Sequence, residues 1–296
     1  MGWHLCMMNM QLSKDNSLDF ASWVGRSTKS IGGISVQMAS MISATFGDAR
    51  TAALRDGDVI PAMWHWYGFP PDTPTQDLGP DGHPHKGGFL PPIPLDRRMW
   101  AGGKLRFHQP LRVGEPLERR SRIAKVVQKD GSAGPMVFVT VDHEICGADG
   151  LAVEERQDIV YLAIPKTFSP PPKKPGPTDG IVVDRQIEMT VPLLFRYSAI
   201  TFNGHRIHYD LEYVTEVEHY PGLVVHGPMQ ANLLLAEATA YRNKTPTVFE
   251  FRGVHPMFHG QAMTLRATQG EDGALALCTM APEGHMCMQA TAIWEE

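Results

Sequence analysis

The chain has 296 residues, of which 43% are hydrophobic and 20% charged, and its formal net charge is −5 at pH 7. This length suits one large domain or two domains of about 150 residues, and the composition excludes a largely disordered chain. The acidic balance and the lack of long runs of like charge exclude a nucleic-acid-binding surface and a polybasic membrane patch. No apolar run reaches the ~18 residues of a spanning helix, so we expect no membrane insertion.

The cysteines and the N-terminal segment bear on the compartment. Cys6, Cys146, Cys278 and Cys287 form no Cys-x-x-Cys pair, and so few cysteines in a chain of this length do not indicate a disulfide framework. Residues 1–13 have neither a signal peptide pattern nor the arginines of a transit peptide, and we expect them to form a loose tail. These features favour a reducing, cytoplasmic location.

In chain order, the first predicted element is a helix over residues 31–46, where apolar residues recur on one face. Strand-like runs follow at 59–67, 104–110, 118–128, 136–145 and 154–163. Residues 68–100 form a long insertion rich in proline and glycine, and its apolar side chains argue against disorder. We interpret the insertion as a flap over the pocket of the second half; a surface excursion packed on its own half is the alternative. We expect His83 and His85, which lie in this insertion, to be solvated.

A proline-rich segment divides the chain. Residues 165–177 contain six prolines, which favour an extended connector over a helix or a central strand. We therefore predict an N-terminal domain at 1–164, a linker at 165–178 and a C-terminal domain at 179–296. In the last of these, residues 228–241 predict a mostly apolar helix with a proline in its first turn. Strand-like runs follow at 247–254, 261–268, 274–281 and 286–294.

Each half is thus a helix followed by a run of antiparallel strands. A long apolar helix needs cover on most of its sides, and a curved sheet supplies that cover. The predicted fold class is α+β, a double hot-dog with two helix-wrapped antiparallel sheets in one chain. Such a pair would bury one edge of each sheet against the other.

His208 is the leading candidate for proton transfer, because an imidazole titrates near neutral pH. It follows Asn203 by five residues, slightly more than one helical turn, so both side chains can face one cleft. A carboxamide cannot act as a base, but it can hold a water molecule. A histidine with its polar atoms satisfied and no catalytic role is the alternative interpretation.

The step from Gly227 to Pro228 opens the apolar helix. Helix N-termini expose unpaired N–H groups that carry partial positive charge. Pro228 has no N–H, so Gly227 offers the nearest backbone donor, and a glycine lets a ligand approach closely. Such a donor could hold a carbonyl oxygen as it becomes an enolate. Alternatively, the step only begins a helix.

Four histidines lie close together in this part of the sequence: His205, His208, His219 and His226. The His205-x-x-His208 spacing differs from the i, i+4 pair of zinc hydrolases, and the sequence contains no His-Glu-x-x-His motif. It also contains no nucleophile elbow, P-loop or dinucleotide-binding fingerprint. We therefore predict neither a metal nor a cofactor.

Two segments carry a family resemblance: FRYSAITFNGHRIHYD at 195–210 and YPGLVVHGP at 220–228. They resemble the MaoC-like acyl-thioester hydratase/dehydratase superfamily, in particular its hydroxyacyl-thioester dehydratase type 2 branch. Residues 94–103 and 112–115 look like the degenerate first hot-dog domain of that branch. The wider superfamily has an aspartate at the position of Asn203.

The resemblance implies a reversible, cofactor-independent hydration of an enoyl-CoA, with a branched dicarboxylic acyl group such as 3-methylfumaryl as one expectation. His208 would carry out most of the proton transfer, Asn203 would orient water or the hydroxyl, and Gly227 would hold the thioester carbonyl. The predicted substrate-binding residues are Val225, His226, Arg206, Tyr197 and Arg98. The expected partner is an acyl-CoA, and a homodimer is a further expectation. A thioesterase and a non-catalytic acyl-CoA-binding protein are the alternatives.

Overall fold

A computed structural model describes residues 20–47, 54–131 and 134–295. The predicted tail at 1–13 and Cys6 lie outside these residues. The helices and strands, labelled in chain order, are β1 (Ser27–Gly32), α1 (Val36–Phe46), β2 (Arg97–Phe107), β3 (Leu117–Gly131), β4 (Gly134–Gly147), β5 (Gly150–Leu162), β6 (Ile181–Glu188), α2 (Val191–Thr201), α3 (Leu211–Glu216), α4 (Gly227–Arg242), β7 (Val248–Gly253), β8 (Ala262–Gln269), β9 (Leu275–Met280) and β10 (Met286–Ile293). None of the described helices is long and apolar enough to cross a membrane.

The strands form one continuous antiparallel sheet. Over the described residues its order is β1-β3-β4-β5-β2-β7-β10-β9-β8-β6, so the first five strands of the chain lie on one side and the last five on the other. Strands β2 and β7 join the halves, with Gly102 opposite Arg252 and Arg106 opposite Val248. The predicted α+β fold, in which two sheets meet at an edge, is confirmed.

The seam between β2 and β7 requires glycine. A Cβ atom at Gly102 would lie 2.5 Å from the carbonyl oxygen of Phe251 in β7, and one at Gly103 would lie 3.2 Å from the ring of Phe251. These distances are shorter than van der Waals contact, so the backbones can meet this closely only where no side chain intervenes. The two glycines therefore set how closely the halves approach.

Helix α4 is the centre of the second half. It packs against β2, β7, β8, β9 and β10, and its buried residues include Gln230, Asn232 and Glu237 as well as apolar side chains. Burial on nearly all sides explains why most of its residues are apolar. Pro228 lies in the first turn, and Asn243 ends the helix with a left-handed φ of 50°. The helix predicted at 228–241 is confirmed.

The predictions for the first half are less accurate. The strand predicted at 59–67 is wrong, because a 3₁₀ helix spans Trp64–Tyr67. Two consecutive side chains of this turn contact one buried carboxylate instead of alternating across a sheet. His65 Nε2 lies 2.9 Å from Glu155, and the indole of Trp66 donates a hydrogen bond to Glu155 at 3.0 Å. The helix predicted at 31–46 begins only at Val36, because Ile31 and Gly32 belong to β1 and Ser35 caps the helix by accepting from the N–H of Met38.

The long insertion of the first half lies against the second half. Strand β2 begins at Arg97, so the loop is shorter than the predicted 68–100. The N–H of Arg206 donates to the carbonyl of Asp81 at 2.9 Å, and the Arg206 guanidinium donates to the carbonyl of Pro80 at 3.0 Å. The loop therefore contacts the segment in which the catalytic residues are predicted. Its role as a flap and the domain boundaries remain predictions.

Candidate active site

The predicted catalytic motif forms a tight turn after α2. Helix α2 ends at Thr201 and is followed by Phe202, whose φ is 50°. The side-chain oxygen of Asn203 then accepts a hydrogen bond from the N–H of His205 at 3.0 Å, a local bond that Asn makes readily in turns. A 3₁₀ helix spanning Arg206–His208 follows. Asn203 therefore holds the turn that presents both histidines.

His208 is a neutral, oriented imidazole. It is buried, and its Nδ1–H donates to the backbone carbonyl of Val224 at 2.7 Å. Because a carbonyl can only accept, this bond fixes the tautomer and leaves the Nε2 lone pair as the proton acceptor. Burial lowers the pKa of His208 to about 4, against the smaller raising effect of the Val224 bond. At neutral pH the ring is therefore unprotonated.

His208 belongs to a row of four imidazoles. The ring centroids of His83 and His205 lie 4.1 Å apart, those of His205 and His208 5.3 Å apart, and His208 stacks on His226 at 3.6 Å. Burial also lowers the pKa values of His205 and His226 well below the ordinary value. Nε2 of His226 lies 2.9 Å from the Ser198 hydroxyl. The row runs from the loop of the first half to the start of α4.

The expectation that His83 is solvated is wrong. Its side chain is only 23% exposed, and its Nδ1 lies 2.8 Å from Oδ2 of Asp81. The backbone N–H of His83 donates to the other oxygen of that carboxylate at 3.0 Å. His85, two residues further along, is exposed as expected. The sequence holds no signal for the burial of His83, because the segment that covers it lies more than 100 residues away in the chain.

Gly227 begins α4 and directly follows the buried His226. Its N–H donates no hydrogen bond within the described residues. A Cβ atom at this position would lie 4.0 Å from the carbonyl oxygen of Trp100 in β2, so the helix start borders the seam between the halves. An unpaired N–H at a helix N-terminus is a suitable donor for an oxyanion.

Arg98 lies next to the loop end of the histidine row. Its positive charge acts on Asp81, His83 and His205. The side chain is half-buried, and its guanidinium acts on the Tyr161 hydroxyl, whose pKa it lowers against the raising effect of burial. Among the residues that the structure describes, Arg98 forms no salt bridge with a carboxylate, so its charge can still attract an anionic ligand.

The other predicted substrate-binding residues have structural contacts. Arg206 pairs with Asp210 at 2.8 Å and lies over the ring of Tyr213. The N–H of Val225 donates to the backbone at 2.8 Å, and its side chain is buried in the core. Tyr197 is fully enclosed, packs on His226 at 4.7 Å and has its pKa raised by burial. These contacts support the shape of the site.

A cleft of about 340 Å³ opens between the loop and α2, a volume suited to part of a small ligand. His83, Asn203 and Ser198 contribute to its lining. Its rim carries Phe195 and Phe202, which are 63% and 64% exposed. The cleft is thus lined by both apolar and polar side chains, with the two phenylalanines exposed to solvent.

Two groups of side chains have the spacing of metal ligands. The ligand atoms of Asp81, His83 and His205 lie within 4.8 Å of one another, and so do those of a second group. The second group consists of His255, His285 and Cys287. His219, which the sequence places near the others, belongs to neither group.

The fold and the site define a double hot-dog protein. A solved Mycobacterium tuberculosis structure described as having a double hotdog fold covers 91% of this chain and 95% of its own, with TM-score 0.59 and 14% identity. A MaoC-like dehydratase from Phytophthora capsici covers 92% of this chain and 96% of its own, with TM-score 0.69 and 11% identity. At these identities the likeness establishes the fold.

Sequence comparison identifies the family. The family model for hydroxyacyl-thioester dehydratase type 2 matches residues 63–259. A mesaconyl-C(4)-CoA hydratase of Chloroflexus aurantiacus is 41% identical over 279 residues, which cover 88% of this chain and 97% of that protein. The chain therefore belongs to the hydroxyacyl-thioester dehydratase type 2 family, within the MaoC-like superfamily. The resemblance seen at 195–210 and 220–228 is confirmed.

Proposed function

We propose that this protein catalyses the reversible addition of water to an enoyl-CoA thioester. Its family membership makes it a hydro-lyase of the hydratase and dehydratase class. The roles of individual residues are supported by one arrangement: the neutral His208 stacks on His226, which directly precedes the unpaired N–H of Gly227. A proton acceptor and an oxyanion donor thus lie together at one helix N-terminus.

In the hydration direction, the thioester carbonyl accepts a hydrogen bond from the N–H of Gly227. Water attacks the β-carbon, the π electrons of the carbon–carbon double bond shift towards the carbonyl, and negative charge gathers on its oxygen as an enolate. One such donor lowers a barrier by about 3 kcal/mol. Nε2 of His208 exchanges the proton at the α-carbon, and the reverse sequence expels the hydroxyl.

Asn203 is placed to orient the attacking water. Its oxygen holds the turn before His205 and its side chain lines the cleft. The amide nitrogen can then donate to the attacking water or to the product hydroxyl. In this role a carboxamide orients the water without itself taking a proton.

Arg98 favours an acyl group with a carboxylate of its own. A half-buried guanidinium binds a carboxylate strongly where water is partly excluded. The relative from Chloroflexus aurantiacus is named for mesaconyl-C(4)-CoA, a thioester that has a carboxylate on its β-carbon. We propose a dicarboxylic enoyl-CoA of this kind as the substrate, with Arg98 holding the free carboxylate.

The test is the loss of conjugated-thioester absorbance with crotonyl-CoA and mesaconyl-C(4)-CoA as substrates. We expect the dicarboxylic thioester to be preferred, and His208→Ala to lose about 10²-fold or more in kcat on both. Arg98→Met should lower kcat/KM on mesaconyl-C(4)-CoA and leave crotonyl-CoA almost unchanged. Arg106→Met, an exposed position on the same strand, is the matched control. Unchanged turnover in His208→Ala would contradict the role of His208.

The same assay separates the alternative functions. Hydration leaves the thioester intact, whereas a thioesterase releases free CoA that a thiol reagent detects. A non-catalytic binding protein would bind both thioesters and convert neither. Release of CoA at the rate of absorbance loss, or binding without turnover, would each overturn the hydratase proposal.

A further inference from the structure

The loop of the first half brings a carboxylate–imidazole pair to the site. Asp81 holds Nδ1 of His83 at 2.8 Å, and Nε2 of His83 is left for another partner. The ring of His83 contacts that of His205 at 4.1 Å and lines the cleft between the loop and α2. The predicted catalytic motif does not include either loop residue.

Hydration moves a proton at two places. The attacking water must lose one, and the α-carbon must gain one. Nδ1 of His208 donates a hydrogen bond to the neutral carbonyl of Val224, which does little to stabilise an imidazolium. Nδ1 of His83 is instead paired with the carboxylate of Asp81. A carboxylate partner both fixes the tautomer and stabilises the imidazolium that forms when the ring takes a proton. Of the two rings, His83 is the better proton acceptor for water.

The order of groups along the site matches the order of atoms in the substrate. Gly227, which is assigned to the thioester oxygen, lies beside His226 and His208. At the other end of the row, the charge of Arg98, which is assigned to a carboxylate on the β-carbon, acts on His83. His208 would therefore meet the α-carbon, and His83 would meet the water that attacks the β-carbon.

We propose that Asp81 and His83 form a second acid–base pair of this active site, resting on the hydratase function proposed above. Nε2 of His83 takes a proton from water as the oxygen attacks the β-carbon, and Asp81 stabilises the imidazolium. The imidazolium of His83 then releases that proton to solvent, and His208 takes a proton from solvent and delivers it to the α-carbon of the enolate. One water is added, and every histidine returns to its neutral state.

The charges around His83 agree with this cycle. Burial lowers the pKa of His83, the Asp81 hydrogen bond opposes that effect, and Arg98 adds to it. The pKa of Asp81 is itself lowered, because the His83 bonds and Arg98 together outweigh the effect of burial. The pair therefore starts as a neutral imidazole beside a carboxylate, the form that can accept a proton.

The test separates the two proton transfers. The 3-hydroxyacyl-CoA product is incubated with enzyme in D₂O, and both deuterium uptake at the α-carbon and loss of the hydroxyl are measured. In His83→Gln we expect hydration and dehydration to fall about 10²-fold to 10⁴-fold in kcat, with little change in KM, while α-carbon exchange persists through His208. In His208→Ala both signals should be lost.

His85→Gln is the matched control, since His85 lies in the same loop but is exposed. His83→Ala supplemented with free imidazole adds a second measurement: recovery of hydration supports a chemical role, because a folding defect would not be rescued. The second acid–base pair is overturned if His83→Gln hydrates within about twofold of His85→Gln, or if exchange and hydration fall together. If the wild-type protein hydrates neither thioester, the proposed function fails first and this proposal fails with it.

Discussion

At the scale of single residues, the chemistry of the site depends on the partner of each imidazole. His208 donates to a carbonyl, His226 lies beside a hydroxyl, and His83 lies beside a carboxylate. The same side chain is thereby given different proton affinities within one row. A histidine with a neutral partner in a buried place remains unprotonated, whereas one with a carboxylate partner can hold a charge for part of a cycle.

The first prediction at this scale concerns acid pH. In the proposed mechanism His208 acts as the neutral ring, and burial lowers its pKa to about 4. Burial lowers the pKa of His83 as well. The acid limb of kcat/KM should therefore have its midpoint below 6.5, the ordinary value for histidine. A pH profile on mesaconyl-C(4)-CoA measures this. A midpoint at or above 6.5 would show that a different group controls the reaction.

The same pKa shift affects stability, so the profile needs a structural control. The pKa of His208 is lower in the folded state than in the unfolded state, so the unfolded state binds the proton more readily. The free energy of unfolding is therefore highest above pH 6.5 and decreases as the pH falls towards about 4. The shift corresponds to about 3 kcal/mol for this residue. Circular dichroism at each pH separates loss of the base from loss of the fold.

At the scale of elements, the loop that carries Asp81 and His83 is held by close backbone packing. Gly82 has a φ of +85°, and a Cβ atom there would overlap the carbonyl oxygen of Gly204. The loop and the turn after α2 therefore meet backbone to backbone, and the position of His83 depends on a residue with no side chain.

Gly82→Ala should displace the loop and reduce kcat by about 10²-fold, the usual scale for a displacement of about 1 Å at a reacting group. Gly88→Ala is the control, because a Cβ atom there meets nothing within 4 Å. The comparison uses kcat on mesaconyl-C(4)-CoA together with the melting temperature of each variant. Equal kcat values for the two variants would mean that the loop does not position the reacting groups.

An element can be predicted from the sequence when the residues that make it form are close together in the chain. Helix α4 is recognisable because its apolar residues and Pro228 are adjacent in the chain. Strand β1 is mostly exposed and has no hydrophobic alternation to reveal it. The side chains of Trp64–Tyr67 follow the pattern of a strand, but the segment forms a 3₁₀ helix in which His65 pairs with Glu155, a residue distant in the sequence.

The residues of the site can likewise be predicted only where they lie close together in the sequence. His208, Asn203 and Gly227 lie on two nearby segments whose pattern can be recognised from the sequence alone. His83 joins them only because the chain folds back across more than 100 residues, and a solvated loop histidine has the same local sequence as a buried one. Long-range register therefore decides which of the loop residues reaches the chemistry.

At the scale of the whole molecule, the site exists only where the two halves meet. Asp81, His83 and Arg98 come from the first half, and the other imidazoles and Gly227 come from the second. Arg98 lies on β2, which pairs with β7, and the loop with Asp81 and His83 packs on the turn at Gly204. The geometry of the reaction is thus coupled to the stability of the contact between halves.

A buried ion pair links the halves beside that seam. Arg97 in β2 donates through Nε to Glu218 Oε2 at 2.7 Å and through a terminal nitrogen to the Glu218 carbonyl at 2.7 Å. Both side chains are nearly inaccessible, at 8% and 2%. The guanidinium also lies over the ring of Tyr220 at 4.6 Å. Removing one partner of such a pair leaves an uncompensated buried charge, whereas removing both does not.

Arg97→Met should therefore lower the free energy of unfolding by about 3–5 kcal/mol, and adding Glu218→Gln should recover part of that loss. Arg106→Met, which removes an exposed ion pair with Glu295 on the same strand, should have a much smaller effect because solvent screens that pair. Urea denaturation of the three variants and the wild type measures the differences. If Arg97→Met and Arg106→Met are equally stable, the buried pair does not hold the halves together, and the other contacts between them, such as the β2–β7 pairing, must do so.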